Sequence, residues 1–228
     1  MRVQKDGTLM NNLKKTSIEY IENLIERYPK LHSLQKPIIK AIVCLLNSVK
    51  NSGKILICGN GGSSSDSDHI VGELVKDFLI DRSVNKNIQE ILGEKFPLEK
   101  DYFIENLKPG IPAISLTSNN ALISAISNDH NNDFIYAQQV LVYGNKQDTL
   151  ILLSTSGNSK NIINAAKIAN IKDISVISLT GNSGGKLLEY SDILINAPAK
   201  ETYKVQEYHL PIYHLICIVL ENEIYGNK

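Results

Sequence analysis

The sequence predicts an α/β fold, a three-layer α/β/α sandwich built on a mainly parallel five-stranded sheet. Short apolar runs rich in β-branched residues alternate with stretches of helical periodicity, and this alternation is typical of a parallel sheet covered by helices on both faces. Three of the predicted strands end in turns rich in glycine or serine. Because parallel strands end at the same edge of a sheet, we expect these turns to form one ligand pocket.

The composition indicates a single globular domain over residues 1–228. A hydrophobic content of 43% is enough for one packed core. The basic and acidic residues balance, with 24 Lys plus Arg and 24 Asp plus Glu. The balanced charge does not favour nucleic acid as a partner. We expect no membrane contact or export, because no apolar run approaches about 18 residues and the N-terminus lacks an apolar segment. Three widely spaced cysteines in apolar runs are typical of reduced thiols in a cytoplasmic protein.

The predicted elements begin with N-terminal helices within residues 1–52, at 10–28 and 32–51. The segment at about 80–110 exceeds the usual length of a connection between strand and helix. We interpret it as an insertion with a helix near 99–107. It could cover the site or contact a neighbouring molecule, and a surface decoration is the alternative. The remaining strands are predicted at 55–57, 112–116, 149–153, 174–179 and 192–196, and the remaining helices at 63–78, 120–128, 133–143, 160–170 and 203–225.

A glycine turn after the first strand carries the strongest signal. Asn60, Gly61 and Gly62 lie where the strand ends and a helix begins, so backbone N–H groups there can hold an anion or a sugar. Ser64 stands where a third glycine would complete a dinucleotide motif, which makes that interpretation weak. The later run at 184–186 lacks the Ser or Thr of a P-loop, and we discard it.

On the following helix, His69 and Glu73 are four residues apart and project from the same side. An imidazole and a carboxylate in this arrangement can share a metal ion or a substrate proton. A hydrogen-bonded pair on a solvated face is the alternative.

Two later segments complete the set of candidates. The serine-rich loop at 154–159 follows a predicted buried strand and opens a helix, which suits a phosphate monoester; an ordinary N-cap with spare serines is the alternative. In the last helix Gln206 and His214 lie nearly on one side, so a ligand between them could contact both. A histidine satisfied within the core is the alternative for His214.

The motifs CGNGGSSSDSDH, STSGNS and VQEYHLPIYH occur in this order. With them the chain resembles the SIS (sugar isomerase) domain family, most closely its phosphoheptose isomerase branch, over nearly the whole chain apart from about 80–110. The resemblance implies a flavodoxin-like SIS sheet, sedoheptulose 7-phosphate as substrate and an aldose heptose 7-phosphate as product. It also implies a homotetramer and a zinc ion in the site.

The resemblance further assigns roles to individual residues. It implies Glu73 as general base and His214 as general acid. Asn119 departs from the Asp common in the family, and Asp77 stands near where some members place an arginine. The implied substrate contacts are Asn60, Gly61, Gly62, Ser118, Asn119, Ser154, Thr155, Ser156, Ser159 and Gln206, and the implied zinc ligands are His69, Glu73, Gln206 and His214.

These roles predict a ketose-aldose isomerase. Glu73 would remove a proton from C1 of the open-chain ketose to give an enediol, and His214 would move protons at the oxygens. The two residues lie on different predicted helices, so the pocket could be assembled between subunits. The alternative function is a non-catalytic SIS module that binds a phosphosugar or a protein partner as a regulator.

Overall fold

A computed structural model describes residue 10 and residues 13–226. In this part of the chain, five strands form one parallel sheet in the order β2-β1-β3-β4-β5. Helices cover both faces, which confirms the predicted three-layer α/β/α fold. The strands are β1 (Ile55–Gly59), β2 (Ala113–Ser115), β3 (Thr149–Ser154), β4 (Ser175–Thr180) and β5 (Ile193–Asn196).

The helices follow the predicted order with shifted boundaries. They are α1 (Lys15–Arg27), α2 (Gln35–Lys50), α3 (Gly62–Val75), α4 (Lys86–Lys95), α5 (Lys100–Asn106), α6 (Asn120–Asp129), α7 (Ala137–Tyr143), α8 (Lys160–Ile171) and α9 (Thr202–Tyr225). Short 3-10 turns occupy Pro29–Leu34, Asn132–Phe134 and Gly185–Glu189. Because the first two of these turns precede α2 and α7, these helices begin at later residues than predicted. Part of the helix predicted from residue 10 lies outside the described residues.

Successive side chains of each strand point to opposite faces of the sheet, so an apolar core forms on each face. Ile55, Ile57 and Ile151 pack with α1, α2, α3 and α9, whereas Leu56 and Leu150 pack with α6, α7 and α8. Each fully buried aliphatic side chain stabilises the fold by about 1.5–3 kcal/mol. The sheet therefore holds the carboxyl ends of β1 and β3 rigidly side by side.

The segment at 80–110 forms a helical hairpin that the sequence predicted only in part. Its second helix, α5, was expected, but α4 was not, although the Asn85 side chain accepts a capping bond from the Ile88 amide at 3.0 Å. The two helices pack through Phe96 and Phe103, with ring centroids 6.2 Å apart, and all of their side chains are at least partly exposed. The two helices of the insertion thus lie on the surface of this chain, whereas Arg82 and Val84 before them are buried.

Helix length and hydropathy bear on contact with a bilayer. Among residue 10 and residues 13–226, no helix is both long and apolar enough to cross a membrane.

Candidate active site

The turn between β1 and α3 meets α9 directly. Gly61 has φ of +57°, a backbone conformation that residues other than glycine rarely adopt. A Cβ added to Gly62 would overlap Nε2 of Gln206, so the Gln206 side chain packs against the backbone here. Two predicted contacts from opposite ends of the sequence, Gly62 and Gln206, are therefore neighbours.

The same turn is tied to the helix that follows the serine loop. The side-chain amides of Asn60 and Asn161 exchange two hydrogen bonds, both of 2.9 Å. Asn161 lies in the first turn of α8 and is buried. Asn161 was not predicted from the sequence, although its place directly after the serine loop was a signal. This amide pair fixes the glycine turn beside the candidate phosphate site.

The predicted base and acid, Glu73 and His214, both lie beside His69 within one chain. Oε1 of Glu73 lies 3.2 Å from Nε2 of His69, and the His69 and His214 rings meet edge to face with centroids 5.0 Å apart. Lys76 donates a bond of 2.8 Å to the other Glu73 oxygen. Burial lowers the pKa of His214, the neighbouring His69 lowers it further, and Glu73 opposes them. The His214 imidazole is thereby biased toward its neutral form.

Two residues that were not predicted from the sequence support His69 on its Nδ1 side, Tyr213 directly and Asp66 through Tyr213. The Tyr213 hydroxyl donates to Oδ1 of Asp66 at 3.1 Å, and its oxygen lies 3.0 Å from Nδ1 of His69. Burial raises the pKa of Asp66, partly against the effects of Tyr213 and His69, and burial beside Asp66 raises the pKa of Tyr213. Their positions were a signal, since Asp66 is one turn before His69 and Tyr213 precedes His214.

The serine loop offers unused hydroxyl groups at a helix N-terminus. Ser154 is 5% exposed, and its Oγ has no hydrogen-bond partner among the described residues. Ser159 occupies the N-cap of α8 but makes no side-chain capping bond in the described structure. A buried hydroxyl usually finds a partner, so Ser154 is available for a ligand at this position.

The rest of the loop is shaped by backbone contacts. The Thr155 carbonyl accepts a bond from the Gly181 amide at 2.9 Å, and the Asn158 amide donates to Oγ of Ser156 at 3.2 Å. Gly157 has φ of +65°, and an added Cβ would overlap the carbonyl oxygen of Gly184. The loop is therefore fixed against the end of β4, with Thr155 and Ser156 beside the two free hydroxyls.

Ser118 and Asn119 both have local structural partners. Ser118 donates to Oδ1 of Asp68 at 2.6 Å, and the Asn119 side chain caps α6 by accepting from the Leu122 amide at 3.0 Å. Ser115 and Thr117 also donate to that Asp68 oxygen; burial raises the pKa of Asp68, but these hydroxyls bring it below its usual value. Ser118 and Asn119 line a cavity of about 420 Å³, and their substrate role stays a prediction.

The predicted zinc ligands have suitable donor types. His69, His214, Glu73 and Gln206 bring two imidazole nitrogens, a carboxylate and an amide oxygen, and zinc favours nitrogen and carboxylate ligands. Across residue 10 and residues 13–226, no three His, Cys, Asp or Glu side chains already form a metal-binding cluster. In the described arrangement His69 and Glu73 face each other instead. The donor chemistry fits zinc, and the metal stays a prediction.

Comparison with known proteins identifies the family. The model of the SIS domain matches residues 19–106 and 102–181. The phosphoheptose isomerase of Burkholderia pseudomallei (strain 1710b) is 36% identical over 181 residues, which cover 79% of each chain. That of Aneurinibacillus thermoaerophilus is 34% identical over 219 residues, 96% of this chain and 98% of the relative.

Solved structures agree with these matches. A phosphoheptose isomerase from Francisella tularensis superimposes with a TM-score of 0.72 at 30% identity, covering 90% of this chain and 95% of that one. The enzyme from Neisseria gonorrhoeae gives a TM-score of 0.65 at 32% identity, over 90% and 93% of the two chains. The chain therefore belongs to the SIS domain family, in its phosphoheptose isomerase branch, and is a sugar-phosphate aldose-ketose isomerase.

Proposed function

We propose that this enzyme converts sedoheptulose 7-phosphate into an aldose heptose 7-phosphate. The observation that carries the proposal is that Glu73 and His214 both lie beside the His69 ring in one chain. The turn at Gly62 contacts Gln206 of the helix that also carries His214. The glycine turn and the candidate phosphate loop follow the adjacent strands β1 and β3, and Glu73 and His214 lie further along α3 and α9.

The phosphate would be held by the loop at 154–159. Ser154 and Ser159 supply free hydroxyl donors, and the N-terminus of α8 adds its positive dipole end. Holding the phosphate fixes the distant C1 and C2 atoms against the catalytic groups, so its contribution is positioning. Thr155 and Ser156 border this site, and Asn60 links it to the glycine turn.

Proton transfer would fall to two side chains. Glu73 removes the C1 proton of the open-chain ketose, and return of a proton at C2 gives the aldose. His214, biased toward the neutral imidazole, accepts and returns protons at the substrate oxygens. Lys76 holds the Glu73 carboxylate in place. A zinc ion held by His69, Glu73, Gln206 and His214 would polarise the carbonyl oxygen as a Lewis acid.

The rival function is a non-catalytic SIS module that binds a phosphosugar or a protein partner. A binding module does not need a base and an acid close together. An assay for the isomerisation therefore distinguishes the enzyme from the binding module. Proton NMR of the purified protein with sedoheptulose 7-phosphate should show aldose signals appearing. Strong thermal stabilisation by the sugar phosphate without any conversion would favour the binding module. Metal analysis of the same sample tests for zinc.

We further propose a cytoplasmic homotetramer. His214 opens into a groove of about 380 Å³ between α1 and α9, lined by apolar side chains such as Leu24, Phe78 and Leu215, and a second subunit would cover it. Cys44, Cys58 and Cys217 are free thiols, as expected for a reducing compartment. Light scattering of the purified protein should give four times the chain mass, and a monomer would exclude the assembly.

A further inference from the structure

A row of four polar side chains runs from the half-buried Asp66 through Tyr213 and His69 to Glu73. Tyr213 donates its hydroxyl proton to Oδ1 of Asp66 at 3.1 Å. The hydroxyl oxygen lies 3.0 Å from Nδ1 of His69, and Nε2 of the same ring lies 3.2 Å from Oε1 of Glu73. Tyr213 is 2% exposed, so its ring is held by packing.

The protons in this row can be assigned by counting donors. A tyrosine hydroxyl has one proton, and here it is donated to Asp66. The contact between the hydroxyl oxygen and His69 must then use a proton on Nδ1 of the imidazole. If the imidazole is neutral, it carries only one N–H, and Nε2 then presents its lone pair to Glu73.

This assignment leaves two acceptors facing each other. In this tautomer the Nε2 lone pair faces Oε1 of Glu73 at 3.2 Å, and neither atom has a proton to donate. The other Glu73 oxygen accepts from Lys76, and Oε1 is the oxygen that faces the ring. A divalent cation satisfies such a pair, since zinc binds both imidazole nitrogen and carboxylate oxygen.

We propose that Asp66 and Tyr213 are positioning residues that fix His69 as its Nδ1–H tautomer and so direct Nε2 toward a divalent metal ion shared with Glu73. The metal part rests on the proposed zinc site, whereas the tautomer is a property of the metal-free chain. A hydrogen bond to the outer nitrogen of a metal-binding histidine commonly sets its tautomer and ring orientation. In this chain the carboxylate of Asp66 acts on His69 through the hydroxyl of Tyr213, which lies between them.

The tautomer is tested by nitrogen-15 NMR of the histidine side chains in metal-free protein at about pH 8, above the ordinary histidine pKa. The signals of His69 are assigned by their loss in His69→Gln. We expect the Nδ1–H form in the unchanged protein and the Nε2–H form in Asp66→Ala, because the freed Tyr213 proton would then be donated to Nδ1. An Nε2–H or doubly protonated ring in the unchanged protein, or the same tautomer in both, overturns the proposal.

The metal part is tested by chelator competition for zinc. Tyr213→Phe should bind zinc about 10- to 100-fold more weakly, as should Asp66→Ala. Tyr208→Phe is the matched control, because it removes a hydroxyl from the same helix that bonds to no described residue. Equal affinity in Tyr213→Phe and the control, or an unchanged protein that binds no zinc, overturns this part. Neither measurement uses substrate, so failure of the isomerase assay is distinguishable from either result.

Discussion

Replacing Glu221 with glutamine should strongly destabilise the protein. Glu221 and Arg82 form a buried ion pair, with side chains 1% and 0% exposed. Oε1 accepts from the Phe78 amide at 2.8 Å and from Arg82 at 2.9 and 2.7 Å, and Oε2 accepts from the Leu79 amide at 2.7 Å. The carboxylate thus joins α9 to the segment that follows α3.

The expected cost follows from what the substitution leaves unpaired. The introduced glutamine carries no charge, so Arg82 would keep a buried positive charge without a counterion, and the new side-chain N–H2 would face the Leu79 amide donor. Breaking one side of a buried ion pair costs about 3–5 kcal/mol. Since a domain of this size loses roughly 2–4 °C per kcal/mol, the melting temperature should fall by about 6–20 °C.

Urea unfolding at about pH 7 measures this free energy directly, because its linear extrapolation gives the stability in water. The matched control is Glu201→Gln, the same change in the exposed pair of Glu201 with Lys204, whose atoms are 3.0 Å apart. The control should unfold like the unchanged protein, because exposed ion pairs contribute little. A loss in Glu221→Gln no larger than that of the control would refute the structural reasoning.

Three further predictions concern pH, the phosphate loop and its hydroxyls. Burial raises the pKa of Glu221, but the amides and Arg82 bring it below its ordinary value of 4.5; this stabilisation is therefore present above that pH and lost as the pH falls through the folded pKa. Melting curves from about pH 7 to about pH 3 should show that loss, and Glu221→Gln should lack it. Gly157→Ala should abolish the thermal stabilisation of the protein by inorganic phosphate, because the added Cβ would overlap the Gly184 carbonyl oxygen and distort the loop. The control Gly72→Ala, whose Cβ would enter open space, should keep that stabilisation. Ser154→Ala should leave the melting temperature unchanged and raise KM for the sugar phosphate, since Oγ has no partner among the described residues; equal KM values would exclude it from the phosphate site.

The sequence predicted the sheet and the positions of the strand-end turns because both depend on local patterns. Strand ends followed by glycine or serine are visible as short motifs, and the order of elements determines that these ends share one edge. Helical periodicity placed His69 and Glu73 on one side of α3, and the structure gives them a 3.2 Å contact. These parts required no knowledge of long-range packing.

The remaining features depend on contacts between distant parts of the chain. Tyr213 reaches Asp66 across 147 residues, and no spacing rule connects such a pair. Ser118 was assigned to substrate through the family motif, yet its hydroxyl donates to Asp68, a residue that only the fold brings near. The helix α4 was missed because few apolar residues mark it, and all of its side chains are at least partly exposed.

The most direct test of the central claim is the turnover of Glu73→Gln on sedoheptulose 7-phosphate, followed by NMR beside the unchanged enzyme. We expect the variant to keep its thermal stabilisation by the sugar phosphate and to form no aldose, because glutamine cannot accept the C1 proton. Aldose formation by the variant at the rate of the unchanged enzyme would contradict the assignment of Glu73 as the catalytic base.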